Sequence, residues 1–222
     1  MVILICGGVK MSGSGQLRVR KVRIDKKMDV KPTVPIALAD TVNRLSFITD
    51  TPVWEVVEKI CINGFQQKKV ISYLSQNFRR TVRIGNTLYL GDINRVSVKK
   101  RMKAGKTERL TSRFKADMHE SLDVLAIGLA CSKSRACALL IDASVRDWDF
   151  VNEFVRSYLE DNIDEERMKE LKKVMKYINA DNPYDEVFSW AAFLSYIFDE
   201  VKGSTGKIQD TVKEFIVHHW KD

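Results

Sequence analysis

Residues 109–115 read RLTSRFK, and residues 116–145 continue as ADMHESLDVLAIGLACSKSRACALLIDASV. The first seven alternate, so an extended chain places Leu110, Ser112 and Phe114 on one face and Arg109, Thr111 and Arg113 on the other. The next thirty change period. Leu122, Leu125, Ile127 and Leu129 follow an expected cap at Asp117, and Gly128 stands near the end of that run. CSKS then makes a turn, Ser132 or Ser134 caps a second helix, and Ala136, Leu139, Leu140 and Ala143 recur at helical spacing.

A two-strand ribbon fits the major groove of B-DNA, where outward side chains reach base edges. Arginine binds guanine O6 and N7 bidentately, and threonine offers a hydroxyl and a methyl. Such a ribbon is barely stable alone and needs helices against its inner face. The free N–H groups at the start of the second helix form a phosphate site, to which Lys133 and Arg135 add charge.

Over residues 108–147 this pattern resembles the ribbon-helix-helix (MetJ/Arc-like) DNA-binding superfamily. The resemblance implies a ribbon of two antiparallel strands, with Arg109, Thr111 and Arg113 reading bases and Ser132, Lys133, Ser134 and Arg135 holding phosphate. One such unit is incomplete. Residues 33–64 repeat the order more loosely: TVPIAL as a strand, Asp40 capping DTVNRLSFIT, Thr51 as cap and Pro52 as first helical residue at the turn, then VWEVVEKICING stopped by Gly64. Asp40 is matched with Asp117, and the alternation with Val34, Ile36 and Leu38 makes Thr33, Pro35 and Ala37 the outward positions of this first copy. The pairing is then either within one chain or between second copies of two chains.

Charge is unevenly distributed. The 222 residues carry a net +8 with 30% charged and 45% hydrophobic residues, enough for one sizeable core or two small ones. Residues 147–222 hold 10 Lys/Arg against 17 Asp/Glu, whereas residues 1–146 hold 27 against 12. Between Lys68 and Lys115 there are 14 basic and 2 acidic residues. This basic centre points to an anionic partner, nucleic acid first, and adds Lys99, Lys100, Arg101 and Lys103 to the expected phosphate contacts.

The organisation read from these signals is a basic N-terminal arm (1–31), a first divergent unit (32–65), a basic helix, hairpin and linker (66–107), the second unit (108–147), and an acidic all-α region (148–222) for oligomerisation or partner binding. Gly85-Asn86 is the expected hairpin turn. Asp164-Glu165-Glu166 opens a helix that Lys172, Lys173 and Lys176 close. The fold class is mainly α with short β. A rival reading makes the first half a winged helix, in which Lys68, Lys69, Arg79, Arg80 and Arg83 contact DNA.

Other classes receive little support. Cys6, Cys61, Cys131 and Cys137 form no CxxC pair, and His119, His218 and His219 lack ligand-spaced partners, so neither a metal nor a cofactor is expected. P-loop, GxGxxG, HExxH and nucleophile-elbow motifs are missing, so no enzyme and no catalytic residue is expected. No membrane association is expected: MVILICGG is too short for a span and lacks signal-peptide features, and Met11 opens an ordinary start, which makes residues 1–10 an upstream extension or a loose strand. The expectation is a cytoplasmic, sequence-specific double-stranded DNA-binding protein. It would act as a repressor or as a plasmid or phage regulatory factor, homo-oligomeric through its C-terminal helices. The alternatives are an antitoxin-type protein with a protein partner and an architectural DNA-coating or partition protein.

Overall fold

A computed structural model of the chain describes residues 26–99, 105–159, 164–184 and Ser189. The described elements are mainly helical with short antiparallel strands. The part of the acidic all-α region beyond Tyr184, other than Ser189, lies outside the described residues, as do Cys6, His218, His219 and residues 1–10.

Strands β1 (Met28–Val30) and β2 (Thr33–Pro35) precede helices α1 (Ile36–Ile48) and α2 (Val53–Gln66). Helix α3 (Lys68–Ser75) and the hairpin of β3 (Val82–Ile84) and β4 (Thr87–Tyr89) come next. Strands β5 (Thr107–Arg109) and β6 (Ser112–Phe114) then lead into α4 (Ala116–Leu129) and α5 (Lys133–Val145), followed by α6 (Trp148–Leu159) and α7 (Glu165–Asn179).

β1 pairs with β6 and β2 with β5, both antiparallel, in one continuous register: Met28 faces Phe114, Val30 faces Ser112, Thr33 faces Arg109 and Pro35 faces Thr107. Between the two pairings Leu110 N–H donates to the Pro32 carbonyl at 3.0 Å. Residues 28–35 and 107–114 therefore make one ribbon, interrupted where Pro32 has no N–H to give. Val30, Val34, Leu110 and Phe114 point into the core, and the buried Ser112 hydroxyl donates to Val30 O at 2.7 Å across the ribbon.

Strand, helix and helix recur at a spacing of eighty residues. α1 and α4 start eighty apart, as do α2 and α5. Residues 31–40 and 111–120 alternate between buried and exposed identically, position for position. The turns match bond for bond: Asp50 N–H to Phe47 O (3.3 Å) corresponds to Ala130 N–H to Ile127 O (3.1 Å), and Thr51 N–H to Ser46 O (3.1 Å) to Cys131 N–H to Ala126 O (3.0 Å). Asp50 and Ala130 both take the left-handed conformation, at φ 46° and 51°, that closes a helix in this way. Through this turn α4 and α5 meet at a bend of 93°.

Three local expectations are corrected by this geometry. The first strand begins at Met28 and ends at Pro35, so residues read as the end of a basic arm belong to the ribbon and Ala37 lies in α1. Asp40 is inside α1, which starts without a side-chain cap after Pro35, and Asp117 lies in the first turn of α4 behind Lys115. The repeat thus matches Asp40 with Glu120, not Asp117. Thr51 does not cap α2, because its hydroxyl turns back to Thr49 O at 2.9 Å. Ser132 does cap α5, accepting from Arg135 N–H at 3.3 Å.

The second helices, α2 and α5, pack on each other behind the ribbon. Cys61 and Cys137 meet there with sulfurs 3.9 Å apart, both free thiols. Gly64, expected to end α2, lies within it instead. A Cβ at Gly64 would overlap Ser144 Oγ and stand 3.1 Å from Leu140 Cδ1, so glycine is required by helix proximity. Outside this pair, α7 covers α1 and α6 bridges α1 and α5, and their Val151, Val155, Leu171, Val174 and Ile178 join the same core. Arg44 pairs with Glu170 at the α1–α7 contact.

The Gly64→Ala substitution should destabilise the protein by about 1–3 kcal/mol through overpacking, read as a lower urea midpoint. Adding Ser144→Ala should recover most of it, because the overlapping hydroxyl only serves its own helix, donating to Leu140 O at 2.7 Å.

Candidate nucleic-acid interface

The outward face of the ribbon follows from its register. Asp29, Lys31 and Thr33 on one strand and Arg109, Thr111 and Arg113 on the other are all exposed. Asp29 faces Arg113 and Thr33 faces Arg109, which puts Lys31 opposite Thr111 at the middle. Arg113 Nε lies 3.2 Å from Asp29 Oδ1, with the arginine side chain 61% exposed. An exposed pair of this kind contributes at most about 1 kcal/mol and can be exchanged for an external partner. Lys31 Nζ is 4.0 Å from the same carboxylate. Arg109 has no ion pair among the described residues. The three residues singled out on the second strand thus sit side by side, and Asp29 and Lys31, which sequence reasoning assigned to an arm, join them. The alternation of Val30, Pro32 and Val34 was the signal that could have found them.

At the start of α5 the Ser132 hydroxyl satisfies one backbone N–H. Lys133 is not free: its Nζ lies 2.9 Å from Asp123 Oδ2 and 3.3 Å from His119 Nδ1. The other ring nitrogen of His119 is 3.0 Å from Met28 O. A carbonyl can only accept, so Nε2 carries the proton and Nδ1 accepts from Lys133. The ring, edge-on to Phe114 at 6.2 Å, thereby links the first strand of the ribbon to the start of α5. Ser134 and Arg135 are partly exposed in the same turn. Burial raises the pKa of the nearby Cys131 thiol, and the positive charges of Arg135 and Lys99 partly offset this. Lys99 therefore stands in the same basic neighbourhood as α5, whereas Lys100, Arg101 and Lys103 lie outside the described residues.

The hairpin turns at Gly85-Asn86 as expected, with Gly85 at φ 56°. It docks on the C-terminal end of α4. Arg79 and Arg80 N–H donate to Gly128 O at 2.7 and 3.2 Å, and a Cβ at Gly128 would meet Val82 Cγ2 at 3.1 Å and the Phe78 ring at 3.3 Å. The five cations of the winged-helix reading separate into two kinds. Lys68, Arg80 and Arg83 are exposed. The Arg79 guanidinium instead donates to Ile93 O at 3.1 and 2.7 Å, and Lys69 Nζ sits 2.7 Å from both Asp147 and Asp149. These two also fasten the chain internally, Lys69 through ion pairs and Arg79 as a donor to a backbone carbonyl.

Asp147 is fully buried, so Lys69 is the cation that makes that carboxylate tolerable. Burial opposes the charge on Lys69, but its bonds to Asp147 and Asp149 outweigh that and raise its pKa above the ordinary 10.5. A raised lysine pKa stabilises the fold below its unfolded value and stops doing so as pH climbs through the folded value. Lys69→Met should cost about 3 kcal/mol in urea unfolding at neutral pH, while Lys68→Met should leave the midpoint within about 0.5 kcal/mol. The Lys69 difference should shrink above pH 10.5.

No single described helix is long and apolar enough to cross a membrane. No protein-family model, no curated protein and no solved structure matches this chain.

Proposed function

We propose that this chain is a sequence-specific double-stranded DNA-binding protein of ribbon-helix-helix type, with both copies of the unit in one polypeptide. The observation that carries the reading is the antiparallel pairing of residues 28–35 with residues 107–114, which leaves Arg109, Thr111 and Arg113 exposed on one face. A ribbon of this width enters the major groove, and its outward arginines then reach guanine edges. The start of α5, with Ser132, Lys133, Ser134 and Arg135, would hold a flanking phosphate. Lys99, Lys100, Arg101 and Lys103 would add sequence-independent attraction.

The ribbon is completed within the chain, so DNA reading needs no second copy. The same reading assigns self-association or a protein partner to the acidic C-terminal region, and a role as repressor or as plasmid or phage regulatory factor to the whole. It assigns no reaction to the chain.

Gel shifts against a panel of genomic fragments test this at two or more salt concentrations. Arg113→Ala should lower the preference for the best fragment over the others by about 1–3 kcal/mol, the worth of one bidentate base contact. The triple change Lys99→Ala, Lys100→Ala, Arg101→Ala should weaken every fragment alike. It should also flatten the slope of log K against log salt by about 0.9 for each phosphate that no longer has its cation. Wild-type shifts that ignore sequence would favour a coating protein. Both variants behaving as wild type on every fragment would sink the assignment of readers and clamps.

A further inference from the structure

Two identical strands paired antiparallel present the same chemistry at both ends, and the DNA site they read mirrors that twofold symmetry. Here the rotation that relates the two halves exchanges residues eighty apart. On the outer face it exchanges Arg109 with Asp29, Thr111 with Lys31 and Arg113 with Thr33. The backbone is symmetric and the side chains are not. One end rung offers a guanidinium held by a carboxylate (Arg113 and Asp29), and the middle an ammonium beside a hydroxyl (Lys31 and Thr111). The other end offers a guanidinium beside a hydroxyl (Arg109 and Thr33), with no carboxylate on either strand of that rung.

The flanks differ in the same sense. The α5 start has the Ser132 cap, Lys133 and Arg135, with Lys99 close by. The equivalent α2 start has Pro52, which carries no N–H, then Val53 and Glu55, whose carboxylate pairs with Lys59 at 3.2 Å. Position 48, equivalent to Gly128, is a buried isoleucine, so the hairpin with exposed Arg80 and Arg83 sits at the end of α4 alone.

We infer that, granted the DNA-binding reading on which this rests, one chain occupies a DNA site without dyad symmetry, specified by Asp29, Lys31 and Thr33 as well as by Arg109, Thr111 and Arg113, and flanked by phosphate contacts mainly on the α5 side. Arg109 and Arg113 are four residues apart on one strand, about 13 Å, which matches about four base pairs. Arg109 suits guanine, and so does Lys31. Asp29 accepts from the cytosine N4 amine and repels the acceptor edge of guanine, so its rung either reads cytosine directly or holds Arg113 at a set angle. Both roles require the carboxylate, and neither has a counterpart at the Arg109 end.

The test is selection from a random duplex pool with the full chain, followed by sizing of the complex on one selected site and hydroxyl-radical footprinting. The expected result is an enriched motif that is not self-complementary, one chain per core site, and protection reaching further on one side. Asp29→Ala and Lys31→Ala should each change the base preferred at the positions nearest their own rung, with a loss of roughly tenfold in preference there, while thermal melting stays near wild type. Should Asp29→Ala fold poorly, Asp29→Asn removes the charge with the shape kept and is read the same way. A palindromic motif bound by two ribbons, or a motif left unchanged by both substitutions, overturns the inference and leaves the DNA-binding reading standing. A pool in which no sequence is enriched overturns both.

Discussion

A ribbon of two short strands cannot hold itself in water, and everything else in this chain is arranged around that constraint. Residues 28–35 and 107–114 are separated by more than seventy residues, yet each supplies the other's hydrogen bonds. Their inner side chains, Val30, Val34, Leu110 and Phe114, are buried only because α2 and α5 meet directly behind them. That meeting depends on Gly64, since any side chain there collides with Ser144 of the opposing helix. The exposed outer face is therefore presented by a rigid support, the condition for side chains to read an external surface with a defined register.

The basic residues divide by what their charge does. Lys69 neutralises the buried Asp147, Arg79 ties the hairpin to the Ile93 carbonyl, and Lys133 is held by Asp123 beside His119. Lys31, Lys68, Arg80, Arg83, Lys99 and Arg109 keep exposed side chains. A net charge cannot distinguish these groups, because a buried carboxylate and a phosphate ask for the same cation. Among the described residues the exposed set meets an anionic partner directly, whereas Arg113 and Lys133 would first exchange the carboxylates of Asp29 and Asp123 for it.

Much of the local structure was legible. The alternation of RLTSRFK marked which face is inward, and Leu110, Ser112 and Phe114 are indeed buried while Arg109, Thr111 and Arg113 are exposed. Ser132 and Asp164 cap the helices expected of them. The first strand was the harder case. KKMDVKPTVP looks like a polar basic segment because its inward positions are a valine, a proline and a valine, and proline is an unusual strand residue. Asp40 misled because a cap residue and a mid-helix aspartate cannot be told apart without knowing where the preceding strand ends.

The sequence by itself determined the elements: where hydrophobic period changes from two to 3.6, which residues turn inward, and where charge accumulates, since these depend on neighbours along the chain. It showed the strand, helix, helix order of residues 33–64 repeating that of the second unit, but not the register of that repeat. Aligned eighty residues apart over 28–66 and 108–146, the two segments share only Leu45 and Leu125. Their likeness lies in burial and in backbone hydrogen bonds, which tolerate almost any apolar side chain of suitable size. Which strand pairs with which, which lysines are consumed internally, and which six side chains share one face were decided by tertiary structure alone, because each depends on contacts between residues far apart in the chain.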